Sequence, residues 1–359
     1  MKKAKTVAFV IAGVLVVLGA LIMVIGLSRG SFDFKKIFEE GNVMEKTYVI
    51  QEKVESIQID ETNSAAIEIV PAQDGIARIE TKEPKNYEFV IEENNGVLSI
   101  QSKSNGMWVI FSSPKATIYL PADEYKDLSV NSSSGSVKIA DGFTFETANI
   151  SSSSGSVEFK SNVNGSLKIK VTSGSMTMEG VKAAEVSVDT SSGSTKVIDV
   201  EATGDIKVKG SSGSITMENV VCDDLSAENT SGRISTKGVT ATGEVSLKNT
   251  SGSIDVENLT ARDLKSQTSS GSIHMKNALL EKIMAAKSTS GSIHIDGSDG
   301  TEVSLEASSG SIHAEFLTNK DFSASATSGG VHLPENATGE KNGTCNAKTT
   351  SGSIHLSIK

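Results

Sequence analysis

All five histidines of this 359-residue chain occupy one position of a repeated pattern, three residues after a Ser-Gly dipeptide. They are His274, His294, His313, His332 and His355. If the repeats stack as strands, neighbouring imidazoles lie about 4.8 Å apart. Two imidazoles at that spacing suit one Zn²⁺ ion at about 2.0–2.1 Å from each nitrogen. Asp296 and Glu315, two residues further along, are candidate oxygen ligands.

Two other interpretations of the histidine column stay open. Protonated imidazoles repel one another, so the column could sense pH. Duplication of a repeat unit would also produce an outward ladder of polar side chains without any binding role.

No set of residues in the sequence predicts catalysis. The histidines lack a Ser-His-Asp arrangement, and the glycines belong to repeats rather than to a phosphate loop. Carboxylates eight residues before the repeat glycine form a continuous column instead of a pair; they are Asp127, Glu185, Asp205, Asp224, Glu244, Asp263, Glu302 and Asp321. The sequence therefore predicts a protein that is not an enzyme and uses no cofactor.

The Ser-Gly dipeptide recurs every 19–20 residues, with one final interval of 23. Its glycines are Gly135, Gly155, Gly174, Gly193, Gly213, Gly232, Gly252, Gly271, Gly291, Gly310, Gly329 and Gly352. A repeat of this length predicts a solenoid whose units bury their apolar faces by stacking. We interpret the glycines as structural corners, where a positive φ costs little and the preceding hydroxyls bond to the backbone. A glycosylated or ligand-binding stripe is the alternative.

Apolar residues alternate with polar ones on both sides of each corner, which is the pattern of a strand with one buried face. The predicted fold is all-β, a two-sided parallel β-solenoid of about twelve coils over residues 126–359. Its last strand, 354–356, would leave an open edge that the spacer 335–343 folds over. Charges five residues after the glycine are expected to pair between coils; they are Glu179, Glu218, Lys237, Glu257 and Lys276.

Residues 56–125 predict an amino-terminal β cap of short strands and turns, because four of the five prolines lie there and proline interrupts a strand ladder. The apolar run around Trp108 is interpreted as a buried strand of this cap, and an exposed contact patch is the alternative. A juxtamembrane linker is predicted over residues 28–55.

Residues 7–27 contain 21 consecutive residues without a charge, enough for one transmembrane α-helix. A cleaved signal peptide is the alternative. We expect an uncleaved signal anchor in the bacterial membrane, with a cytoplasmic tail 1–6 and the carboxyl-terminal domain outside the cell. The net charge of −10 argues against a nucleic-acid partner, because phosphate binding needs a basic face.

The segment Ile118-Tyr119-Leu120-Pro121, the segment Leu128-Ser129-Val130 and the serial Ser-Ser-Gly-Ser corners resemble a bacterial β-solenoid family of unknown function named "putative adhesin". The resemblance covers about residues 56–359. Our first hypothesis is a membrane-anchored cell-surface structural or interaction module, adhesin-like, whose partner is a cell-wall polymer or a surface protein. The resemblance implies an alternative, an accessory or sensing protein of an envelope-stress response. A metal-binding ectodomain using the histidine column is the other alternative.

Overall fold

The computed structural model describes residues 43–104, 113–334 and 340–359. These residues form strands, turns and extended connections, and no helix occurs among them. No helix in these ranges is long and apolar enough to cross a membrane. Several predicted features therefore lie outside the described residues: the tail 1–6, the membrane segment 7–27, most of the linker 28–55, Trp108 and part of the spacer 335–343.

Seven strands form the amino-terminal end of the molecule: β1 Met44–Val49, β2 Ser56–Glu61, β3 Ala66–Pro71, β4 Arg78–Glu83, β5 Tyr87–Asn94, β6 Val97–Ser104 and β7 Lys115–Leu120. Strand β2 pairs in parallel with β6, and strand β3 pairs in parallel with β7. Strands β2 and β3 therefore form one layer of the solenoid, and β6 and β7 form another. Strand β5 lies antiparallel to β6, β4 lies antiparallel to β7, and β1 lies antiparallel to β4. The antiparallel strands cover this end of the stack.

From residue 124 to residue 332 the chain makes about 11 turns in sequence order. Before the corners lie β8 Glu124–Ser132, β10 Thr144–Ser152, β12 Asn162–Val171, β14 Lys182–Ser192, β16 Ile206–Ser212, β18 Leu225–Ser231, β20 Glu244–Asn249, β22 Asp263–Thr268, β24 Ile283–Ser288, β26 Glu302–Ala307 and β28 Asp321–Ser328. After the corners lie β9 Val137–Ile139, β11 Val157–Phe159, β13 Met176–Glu179, β15 Thr195–Ala202, β17 Ile215–Cys222, β19 Ile234–Ala241, β21 Ile254–Ala261, β23 Ile273–Leu280, β25 Ile293–Ser298, β27 Ile312–Phe316 and β29 Val331–His332.

Each strand of the stack pairs in parallel with the equivalent strand one layer away, so like residues lie over like residues. Val245 lies over Leu225, and Ile254 lies over Ile234. Alternate side chains point inward, and Leu247 and Ile254 are completely buried. Burial of such a side chain stabilises the fold by about 1.5–3 kcal/mol. The parallel β-solenoid predicted from the repeat is confirmed.

The predicted two-sided cross-section is wrong for the middle of the stack, because each turn there has a second bend. The bend lies six residues after the corner glycine, at residues with φ between +53° and +68°: Gly180, Asp199, Asn219, Gly238, Asn258, Asn277 and Gly297. Glycine and asparagine adopt this left-handed conformation most readily. The alternation of inward and outward side chains shifts by one residue at the bend. Leu259 and Ala261 are therefore buried on a third, short side of the turn.

The last two strands, β30 Thr344–Ser351 and β31 Ile354–Ile358, enter the stack out of sequence order. Strand β30 pairs with β26 on one side and with β28 on the other. Strand β31 likewise lies between β27 and β29. The expectation that 354–356 forms an open edge is therefore wrong, because β28 and β29 form the outermost layer.

Candidate functional site

The histidine column lies after the corner, on the outer surface of the carboxyl-terminal layers. All five histidines are exposed. Residues on either side of four of them are buried, as Ile293 and Ile295 are around His294, whereas Val331 and Leu333 beside His332 are exposed. In space the order along the stack is His274, His294, His313, His355 and His332. His355 precedes His332 because the last layer is inserted beneath the one before it.

The imidazoles form a partly stacked file. Ring centroids of His294 and His313 lie 5.2 Å apart with planes at 14°, and those of His313 and His355 lie 4.8 Å apart at 10°. The outer members tilt, since His274 lies 6.3 Å from His294 at 58° and His332 lies 5.9 Å from His355 at 50°. Parallel rings direct their nitrogen lone pairs along parallel lines rather than towards one point.

The structure does not bring the predicted metal ligands together. In the part of the chain that it describes, no three His, Cys, Asp or Glu side chains are placed to hold a metal ion. Asp296 pairs in register with Lys276, and Glu315 pairs with Ser357. A zinc site on this column would need rotation of the rings and stays a prediction.

Charged side chains lie on the same exposed side of the stack as the histidines. Asp255 binds Arg233 Nε at 2.5 Å and lies 3.2 Å from His274 Nδ1. An open recess of about 330 Å³ is bounded there by Lys237, Lys276 and Asp296, among others. This side therefore presents carboxylates, ammonium groups and imidazoles together.

The expected pairing of charges between coils occurs only once in this column, where Glu179 lies 2.9 Å from Lys160. Among the described residues, no opposite charge lies within 4.0 Å of four column members: Glu218, Lys237, Glu257 and Lys276. We call these four residues and the five histidines the histidine face. Its four charges alternate in sign from one layer to the next, as Glu218 does with Lys237 and Lys237 with Glu257, without approaching within 4.0 Å.

Ion pairs form instead on the strands before the corner, in a column that the sequence analysis did not single out. The sequence signal was that the charge of the residue four positions before the glycine changes sign from one repeat to the next. Lys248 lies 3.7 Å from Glu228, and Lys287 lies 2.7 Å from Glu306. These exposed pairs contribute about 0–1 kcal/mol each, and they leave this side with its charges matched internally.

The carboxylate column eight residues before the glycine is used by contacts within the chain. Four members form ion pairs: Asp205 with Lys207 at 3.0 Å, Glu244 with Lys265 at 2.7 Å, Asp263 with Arg262 at 2.8 Å and Asp321 with Lys341 at 2.7 Å. The Arg262 guanidinium holds the pKa of Asp263 below its usual value. The column therefore supports the turns that carry it.

The corner glycines are required by the close approach of neighbouring layers. An ideal Cβ added at any of the twelve would lie 1.5–2.3 Å from a backbone carbonyl oxygen of the adjacent layer. A positive φ, the expected reason, applies only to Gly232, Gly329 and Gly352. The close approach between layers restricts all twelve positions, and for nine of them it is the restriction that remains without a positive φ.

The hydroxyls that bind the corner backbone lie three residues before the glycine, further upstream than predicted. Ser288 Oγ donates to Gly271 O at 2.9 Å and accepts from Gly291 N at 2.9 Å. Asn249 Nδ2 donates to Gly232 O at 2.6 Å. The serines directly before the glycines, such as Ser251, are exposed. The signal available in the sequence was the frequency of Ser, Thr and Asn in this buried column.

A second group of polar residues that sequence reasoning missed lies at the amino-terminal end. Glu83 is 2% exposed, pairs with Lys46 Nζ at 2.5 Å and accepts a hydrogen bond from Thr81 Oγ1 at 2.8 Å. Glu61, also 2% exposed, accepts from Asn63 N at 2.5 Å. Groups of the same chain contact both carboxylates, although Glu83 Oε2 has its ion pair with Lys46 and no hydrogen bond among the described residues.

Both cysteines are free and buried. Burial raises the pKa of the Cys222 and Cys345 thiols to about 12. Because the thiolate is the reactive form, neither cysteine reacts readily near neutral pH.

A family model described as Toastrack DUF4097 matches residues 54–235, 198–282 and 239–359. A search of the curated proteins finds no match. Two crystal structures of proteins described as "putative adhesin" are among the similar solved structures. The one from Parabacteroides merdae is 14% identical, with 89% of this chain and 97% of that chain covered and a TM-score of 0.40. The one from Parabacteroides distasonis is 12% identical, with 89% and 98% covered and a TM-score of 0.39.

Proposed function

The chain belongs to the Toastrack DUF4097 family, and from this premise we propose that it is a non-catalytic interaction module. The match confirms the family that the sequence resembles. The module is anchored in the bacterial membrane through residues 7–27 and displays its solenoid at the cell surface. Its partner is a cell-wall polymer or a surface protein.

The observation that carries this proposal is the histidine face. The roughly 11 turns of residues 124–332 alone give a stack about 50 Å long at about 4.8 Å per layer, and its side chains are held in register by strand pairing. On the histidine face, Lys237 and Glu257 have no ion-pair partner within 4.0 Å among the described residues. A rigid array of exposed charges and imidazoles can bind an ordered ligand with little loss of side-chain and backbone freedom.

Photo-crosslinking in living cells tests the proposed interaction. A photoreactive amino acid replaces Lys237 on the histidine face in one variant, and Lys248 on the internally paired side in a matched variant. We expect the probe at position 237 to capture wall polymer or a surface protein, and the probe at 248 to capture much less.

Two outcomes of this experiment count against the interaction module. Equal capture at both positions would mean that the histidine face is not the contact surface. Capture of only a membrane-embedded sensor protein from position 237 would favour the envelope-stress alternative.

The proposed topology predicts a specific labelling pattern with a membrane-impermeant maleimide. We expect Lys248→Cys to be labelled in intact cells and Lys3→Cys to be labelled only after lysis. The wild-type protein is the control, because the raised pKa of both buried thiols keeps them unreactive. Labelling of Lys3→Cys in intact cells would reverse the proposed orientation.

A further inference from the structure

The carboxyl-terminal segment enters the stack as a layer with a neighbour on each side. Strand β30 is paired from Thr344 to Thr349 with β26 and from Thr344 to Ser351 with β28. Strand β31 is paired with both β27 and β29. The end of the chain is therefore held by two ladders of backbone hydrogen bonds.

The amino-terminal end repeats this arrangement. Strand β2 lies between β6 and β8, and strand β3 lies between β7 and β9. The first solenoid layer in the sequence is thus the second layer in space. In the described residues that precede this layer in the sequence, the exposed strand β1 pairs with β4.

In a solenoid whose layers follow sequence order, the terminal layer has one neighbour and one ladder to break. A pull on the terminus then removes that layer by opening one row of hydrogen bonds. Here, a pull on Lys359 must open the rows on both faces of the layer formed by β30 and β31.

Protection of the sheet edge does not explain the inserted layers. Strand β28 still presents an unpaired edge, and its burial alternates only between half-buried and exposed residues. At the other end, β4 and β5 already cover the edge without help from the insertion. What the insertion changes is the number of ladders that hold the layer β30/β31 at the carboxyl-terminal end and the layer β2/β3 at the amino-terminal end.

We propose that the solenoid carries mechanical tension between its two ends. The inserted layers are the elements that resist extraction when one end is held at the membrane and the other is pulled through a bound partner. This mechanical role goes beyond the interaction role and depends on the order of the layers rather than on the identity of the partner.

Single-molecule pulling of the full-length chain in detergent micelles tests this proposal. Both variants carry Gln267→Cys, an exposed anchor in the middle of the stack. The second attachment is Lys359→Cys, at the end of the inserted layer, or Leu333→Cys, directly after the outermost layer. DNA handles are joined to the introduced thiols, while the buried native cysteines stay unreactive because of their raised pKa.

We expect the first rupture with the Lys359→Cys attachment to need about twice the force measured with Leu333→Cys, because two ladders open instead of one. All substituted positions are exposed, and circular dichroism verifies that both variants keep the same fold. Equal rupture forces, or a lower force at position 359, would overturn the proposal. The result is independent of crosslinking from the histidine face, so the two proposals fail separately.

Discussion

Replacing Gly271 with alanine is expected to lower the free energy of unfolding by about 3 kcal/mol or more. An ideal Cβ at this corner lies 2.0 Å from Gly252 O and 2.4 Å from Gly252 C. These are backbone atoms of the adjacent layer, so no side-chain rotation can relieve the contact. The layers must separate locally, and the hydrogen bonds that join them lengthen.

Gly300→Ala is the matched control for this substitution. Its added Cβ would meet Lys282 O and Met284 Cβ at 3.4 Å, which is ordinary van der Waals contact. Neither Gly271 nor Gly300 has a positive φ, so the comparison isolates the approach between layers. We expect Gly300→Ala to change the free energy of unfolding by less than about 1 kcal/mol.

Urea unfolding of the full-length chain in detergent micelles, followed by circular dichroism, measures both variants. A Gly271→Ala midpoint close to that of Gly300→Ala would show that the corners tolerate a methyl group. Glycine in the repeat would then need another explanation.

Much of the fold could be predicted from the sequence because residues one repeat apart in the sequence lie directly over one another in the stack. An inward residue such as Ile254 lies over its counterpart Ile234, so the alternation around each corner identifies the buried columns. The same parity places the histidines outside. The bend at residues such as Asn258 was also encoded, as a column of Gly, Asn and Asp, but strand alternation alone does not show where a strand changes direction.

The order of the layers at the ends could not be predicted, because neighbouring repeats are chemically equivalent. Val303 lies next to Cys345, whereas sequence order implies Phe322, and both partners are apolar residues at the same position of the repeat. The contacts that distinguish the two orders of layers lie in the connections between strands, and the repeat pattern does not extend to those connections. The orientation of the imidazole rings was likewise outside the reach of the sequence, because it depends on rotamers rather than on register.

The connection before the outermost layer contains Lys320, whose side chain is completely buried. Its ammonium group lies 2.5 Å from Asp299 Oδ1 and donates to Gly300 O at 2.7 Å and to Asn342 O at 3.2 Å. One side chain thus joins the turn before β26 to the residues that lead into the inserted layer.

We expect Lys320→Met to lower the free energy of unfolding by about 3 kcal/mol, since removal of one partner leaves the other charge largely buried and unpaired. The loss should be concentrated at the carboxyl-terminal end, so hydrogen exchange of β28 and β30 should accelerate more than that of β20. Unfolding and hydrogen–deuterium exchange of the full-length chain measure the two effects.

Two variants separate the buried charge from simple loss of a lysine. Lys341→Met removes an exposed ion pair with Asp321 at 2.7 Å and should cost about 0–1 kcal/mol. Adding Asp299→Leu to Lys320→Met should recover part of the lost stability, because it removes the stranded carboxylate. If Lys320→Met destabilises no more than Lys341→Met, the buried ammonium does not hold this end, and the inserted layer is retained by its strand ladders alone.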